Sequence, residues 1–179
     1  ARCSDSTQAT CAAVAASLCA AGIGTETDGS ITSPSSMNAL VGIKPTVGLL
    51  SRDGIVPISF TQDTAGPMCR TVRDAALVLA AIAGPDARDA ATRAQTGRVH
   101  LAALLPHEAG SLRGVRLGIA DNLVGDHRGT MRLFEAAQAA FKSLGATLVS
   151  APIPNTERYA QSELDVLLFE LRHAMATYL

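Results

Sequence analysis

In the stretch Gly22-Ile-Gly-Thr-Glu-Thr-Asp-Gly-Ser30-Ile-Thr-Ser-Pro-Ser-Ser36, one serine follows a glycine in a loop crowded with backbone donors. A serine that attacks an amide carbonyl needs an exposed hydroxyl, a base for its proton, and N–H groups aimed where the oxyanion forms. This loop can supply the first and the third. Three commoner glycine motifs fail here. A dinucleotide-binding G-x-G-x-x-G begun at Gly22 needs glycine where Thr27 stands, and no acidic ribose ligand is marked downstream. A triphosphate loop fits Gly24 and Gly29 but puts Ser30 where its lysine belongs. The hydrolase elbow G-x-S-x-G is broken by Asp28 and Thr32. An ordinary turn between elements is the plain alternative for this loop taken alone.

The surrounding pattern gives the loop its meaning. Ser6-Thr-Gln-Ala-Thr-Cys-Ala-Ala-Val-Ala-Ala-Ser-Leu18, Gly24-Thr-Glu-Thr-Asp-Gly-Ser30, Val41-Gly-Ile-Lys-Pro-Thr-Val-Gly48, Ser51-Arg-Asp-Gly-Ile-Val-Pro57, Gln62-Asp-Thr-Ala-Gly-Pro-Met68 and Arg70-Thr-Val-Arg-Asp-Ala-Ala76 follow one another in order. Together they resemble the amidase signature family, and the serine loop looks most like that of bacterial peptide amidases. The resemblance implies an α/β fold, an α/β/α layered mixed sheet, and a Ser–cis-Ser–Lys triad that needs no metal, cofactor or histidine. The nucleophile maps onto Ser30, and the helper serine, 24 residues earlier, onto Ser6. The implied oxyanion hole uses the backbone N–H groups of Thr27, Asp28, Gly29 and Ser30. Loss of one such donor costs about 3 to 4 kcal/mol of transition-state stabilisation.

Two features depart from the family. Its helper serine sits among glycines, whereas this chain reads Asp5-Ser6-Thr7-Gln8-Ala9-Thr10. Its catalytic lysine lies upstream of the helper, and the chain's two lysines, Lys44 and Lys142, lie downstream. A structural contact is expected of Lys44 and a solvated position of Lys142. The chain reads as the central fragment of an enzyme whose lysine lies outside it.

The elements that must hold these serines follow from pattern. Thr10 to Ala21 favours a helix through its alanines and leads into a short strand near Ile23. Ser35 to Leu40 reads as a short helix behind Pro34, and Leu40 to Lys44 as a buried strand ended by Pro45. From Thr46 to Met68, glycines, prolines and acids indicate loops and short strands. Thr71 to Asp74 opens a helix whose apolar positions recur until Gly84. Asp86 to Gly114 reads as a surface excursion. Val115 to Ala120, Gly129 to Leu144 and Thr147 to Ser150 form a β-α-β unit. A last amphipathic helix spans Ala160 to Tyr178, with Leu164, Leu167, Leu168, Leu171 and Met175 on one side.

Composition bounds the rest. A chain of 179 residues predicts one domain, residues 1–179, able to bury roughly 70% of its unfolded surface. A net charge of −1 and 3% aromatics leave neither a basic footprint nor stacking platforms for nucleic acid. No apolar run is long enough for a membrane span, and the Cys11 to Ala21 stretch is too poor in leucine, behind too weak a basic region, for a secretory signal. A cytoplasmic protein is expected. Cys3, Cys11, Cys19 and Cys69 lack metal-ligand spacing and read as buried thiols.

His100, His107, His127 and His173 offer a rival Ser-His-Asp scheme, but none stands in a motif, and surface positions are expected. Asp63 and Asp28 suit turn and cap hydrogen bonding. The leading function is hydrolysis of a small-molecule or peptide carboxamide. A glutamine-dependent aminoacyl-tRNA amidotransferase subunit is the alternative within the family, although Glu26, Asp28 and Thr32 depart from the Gly-Thr-Asp-Thr-Gly-Gly-Ser-Ile-Arg typical of that branch. A non-catalytic relic is the alternative outside it.

Overall fold

The computed structural model describes residues 5–95, 99–100 and 110–179. Cys3, His107 and parts of the expected surface excursion lie outside them. Described contacts divide the chain into two compact units. One holds the elements up to residue 95 with the end of the last helix from Leu164. The other holds the β-α-β segment and that helix's start, through Glu163.

In the first unit, helix α1 (Asp5–Ala15) leads into strand β1 (Ala21–Glu26). The alanine pattern suggests a helix to Ala21, but α1 begins earlier and stops at Ala15. Ser17 turns left-handed at φ 60°, Ser17 N–H bonds Val14 O at 3.1 Å, and Leu18 N–H bonds Ala13 O at 2.9 Å. That pair of bonds is a Schellman stop. Beyond it, sheet pairing overrides alanine's helix preference, with Ala21 opposite Cys69 and Gly22 opposite Met68.

Helix α2 (Thr32–Met37) starts before Pro34 rather than behind it. A proline in the first turn sacrifices no helical bond, because the first four N–H groups have no intrahelical partner. The helix closes in the same way as α1, with Ala39 at φ 54° and Leu40 N–H on Ser35 O at 2.8 Å.

The expected strand from Leu40 to Lys44 shrinks to β2 (Val41–Gly42), and the stretch read as loops and short strands supplies the central strand, β3 (Thr64–Cys69). The sheet order is β1-β3-β2, antiparallel throughout, and all six β3 residues are buried. Gly66 and Pro67 look like breakers in sequence but fit here. A Cβ at Gly66 would overlap the Ile43 carbonyl oxygen. Pro67 accepts from Ile43 N–H at 3.0 Å just past the two-residue β2 ladder, so its missing N–H falls where pairing ends.

Two apolar clusters anchor this unit. Cys11, Ile31 and Met68 pack between helix, loop and sheet, and Leu50, Leu79 and Ala83 lie under the loop after β2. Helix α3 (Val72–Ile82) is capped as expected, with Thr71 Oγ1 accepting from Asp74 N–H at 3.1 Å. A 3-10 turn (Ala90–Ala94) follows. There Asp89 takes the Arg52 backbone N–H, Nε and Nη2, each at 2.9 Å. Those hydrogen bonds hold the Asp89 carboxyl well below the usual carboxylate range. Cys11 and Cys69 are buried thiols, and burial pushes Cys69 up. Cys19 is exposed instead, because the chain has already left α1 when it reaches it.

In the second unit, β4 (Arg116–Ile119) and β5 (Thr147–Ser150) pair in parallel around α4 (Arg128–Ser143), the expected β-α-β. Helix α5 (Thr156–Tyr178) is longer than the pattern suggests. Of its expected apolar side, Leu167, Leu171 and Met175 are half-buried on the face that carries Glu170. Leu164 and Leu168 are about half exposed, while Glu170 is buried in contact with Ser59 and Thr61. Among the described residues, no helix is long and apolar enough to cross a membrane.

Candidate active site

Burial alternates along β1, so Gly22, Gly24 and Glu26 share the inward face. Gly22 and Gly24 leave no side chain between β1 and α1, and a Cβ at Gly22 would overlap Thr10 Cγ2. The helix therefore lies tight against the strand. Glu26, the last strand residue, is buried where the chain turns through residues 27–31 into α2. The cap residue of α2 is Ile31, which has no side-chain acceptor. Glu26 substitutes for it, with Oε2 accepting from Ile31 N–H at 2.7 Å and Thr32 N–H at 2.8 Å. A carboxylate at a helix start is favoured by the dipole and by its orphan N–H groups.

Lys44 completes the brace. Its ammonium sits 3.5 Å from Glu26 Oε1 and donates to the Thr27 carbonyl at 2.9 Å. Burial pushes the Glu26 carboxyl up, but the N–H groups of Thr32 and Ile31, the Lys44 charge and the Gly29 N–H outweigh it and leave it below its ordinary value. The far side of the turn is held by Asp63. Its Oδ1 accepts from Thr27 Oγ1 at 2.5 Å, and its Oδ2 from Ile58 and Ser59 N–H, both at 2.8 Å. The loop is thus fixed at Glu26, Thr27, Ile31 and Thr32 by charged groups, and Gly29 supplies the left-handed corner at φ 77°.

Ser30 follows that corner. It is half-buried, and its hydroxyl has no hydrogen-bond partner among the described residues. Thr27 is buried, Asp28 exposed and Gly29 half-buried. Ser6 lies in the first turn of α1, the helix packed on β1, and every peptide bond among the described residues is trans. Lys142 is exposed in the last turn of α4. His100, His127 and His173 are exposed, as expected, and His127 caps α4 by accepting from Thr130 N–H at 3.3 Å. No group of three or more His, Cys, Asp or Glu among the described residues is placed to hold a metal. A cleft of about 670 Å³ lined by Arg52, Phe60, His173 and Tyr178 reaches Asp63 but does not include Ser30.

Comparison with known proteins decides the family. The model of the amidase family matches residues 10–179. The chain belongs to the amidase signature family. It is 45% identical to the peptide amidase of Stenotrophomonas maltophilia, with a TM-score of 0.80 over 94% of this chain and 35% of that one. It is 30% identical to the A subunit of glutamyl-tRNA(Gln) amidotransferase from Thermotoga maritima, with a TM-score of 0.82 over 93% of this chain and 36% of that one. A protein of Arabidopsis thaliana named probable amidase is 47% identical over 133 residues, 72% of this chain and 26% of that protein. The chain therefore spans a quarter to a third of the length of these relatives.

Within this amidase signature chain, one bracing residue and one bracing contact escaped the sequence reading. Glu26 carried no role there, although a signal existed: an acid at an inward strand position, just before a helix that lacks a side-chain cap, must find N–H donors. The Thr27 to Asp63 bond joins residues 36 apart and had no local signal. The structural contact expected of Lys44 is present, as is the turn bonding expected of Asp63.

Proposed function

We propose that Ser30 is the nucleophile of an amide hydrolase. The observation that carries this reading is a half-buried serine without a side-chain partner among the described residues, set behind a left-handed glycine in a loop braced by Glu26, Lys44 and Asp63. Ser30 Oγ attacks the carboxamide carbon, and the loop N–H groups of Thr27, Asp28, Gly29 and Ser30 receive the developing oxyanion. Ser6 relays the Ser30 proton to a lysine, which then protonates the departing ammonia or amine. Water resolves the acyl-enzyme. Lys44 is engaged with Glu26 and Thr27, which supports a base from a part of the whole protein beyond these residues. Both units belong to one amidase domain in this reading, supported by a single family match that runs through them.

The substrate follows from the peptide amidase likeness: a C-terminal or small carboxamide. A transamidase subunit is the second reading, supported by the likeness to the Thermotoga maritima protein. Glu26, Asp28 and Thr32 weigh against it. The test is ammonia release from a C-terminally amidated dipeptide by the full-length gene product, beside glutamine-dependent amidation of glutamyl-tRNA. Peptide deamidation lost in Ser30→Ala supports the first reading. Amidation of the tRNA without peptide deamidation replaces it with the second, and activity that survives Ser30→Ala removes both.

A further inference from the structure

We propose that Glu170, on α5, is a positioning residue for the Thr27–Ser30 loop, acting through residues 58–63 and the Thr27–Asp63 hydrogen bond. Glu170 is the one buried side chain recorded on the 23-residue helix. Burying a carboxylate is costly unless its lone pairs are met. Here they are met by a single short segment. Oε2 accepts from Ser59 Oγ at 2.5 Å and Thr61 N–H at 3.0 Å, and Oε1 from Thr61 Oγ1 at 2.9 Å. Burial raises the Glu170 carboxyl, but the Ser59 and Thr61 bonds prevail and leave it below its ordinary value.

Ser59 joins two carboxylates. Its hydroxyl donates to Glu170 and its N–H to Asp63, whose other oxygen takes the Thr27 hydroxyl. The segment has no apolar anchor of its own. Ile58 and Phe60 are 41% and 51% exposed, and its buried residues are Ser59 and Asp63. Directional polar bonds therefore set its place, together with Arg52 Nη1 on the Phe60 carbonyl. Such bonds fix orientation more tightly than apolar contact does, because they weaken steeply off-angle. Displacing Ser59 and Thr61 shifts Asp63, and with it the Thr27 end of the loop.

The catalytic meaning of this coupling rests on Ser30 being the nucleophile, but its test does not. Amide hydrogen exchange of the 179-residue chain, read by mass spectrometry on peptides spanning 24–31, 58–63 and 64–69, compares Glu170→Ala, Glu170→Gln, Thr27→Val and the double variant Glu170→Ala with Thr27→Val. The expected result is about tenfold faster exchange at 27–31 in Glu170→Ala, a smaller rise in Glu170→Gln and no change in β3. With Thr27→Val already present, Glu170→Ala adds nothing at 27–31, the non-additivity that a shared path requires. Faster exchange confined to 58–63 and α5, or an undiminished effect in the Thr27→Val background, overturns the proposal. If Glu170→Ala unfolds the chain, Glu170→Gln and Ser59→Ala take its place in the same comparison. A failure of Ser30 to react with an acylating probe would remove the nucleophile and leave this result standing.

Discussion

Glu26 combines what most side chains in the site do singly: it caps α2, pairs with Lys44 and ends the strand that delivers the loop. Replacing it with glutamine keeps the shape and loses the charge. Hydrogen bonds to a charged group contribute about 2 kcal/mol more than is recovered by a neutral one when buried donors are left poorly met. Glu26→Gln should therefore lower stability by about 2 kcal/mol at neutral pH. The pH dependence has a definite sign. The Glu26 carboxyl titrates below 4.5 in the folded chain, so its contribution is fully present above 4.5 and is lost as pH falls through the lower folded value. Urea unfolding of both proteins at pH 7 and at a series of acid values checks this: the gap should close below 4.5. A gap that is constant with pH would mean that Glu26 acts by shape alone.

Elements rather than residues explain where the sequence was legible. Helix α3 and the β-α-β segment were readable because their signals are local: a threonine cap at Thr71, apolar spacing, and Gly145 at the end of α4. Helix α1 was misplaced at both ends because alanine content carries no stop signal, and the stop is made by Ser17 in a left-handed corner. Most L-residues lose about 1 to 2 kcal/mol in that conformation, and glycine does not. Ser17→Gly should then raise stability by about 1 kcal/mol, measured as a higher urea midpoint at unchanged slope. A lower midpoint would show that the Ser17 side chain has a role the bond pattern does not reveal. Strand β3 falls in a stretch read as loops and short strands but was not placed within it, because Gly66 and Pro67 look like breakers and only the Ile43 backbone shows why they belong in a central strand. The candidate site was legible as a serine behind a glycine; the Thr27 to Asp63 brace was not, because it joins residues 36 apart.

At the scale of the whole molecule, the serine loop and all its recorded braces fall within one compact unit, with α1, the three-stranded sheet and the end of α5. The chain covers only 35% of the peptide amidase it resembles. In the proposed mechanism the loop geometry belongs to these residues and the base does not. A general base contributes about a hundredfold to ten-thousandfold, so the isolated chain should acylate slowly and turn over amides slower still. The most direct test is incubation of the chain with a serine-directed fluorophosphonate, followed by intact mass and fragmentation to place the adduct. The account predicts one adduct, on Ser30, absent from Ser30→Ala. No adduct, or one that survives Ser30→Ala, would contradict it.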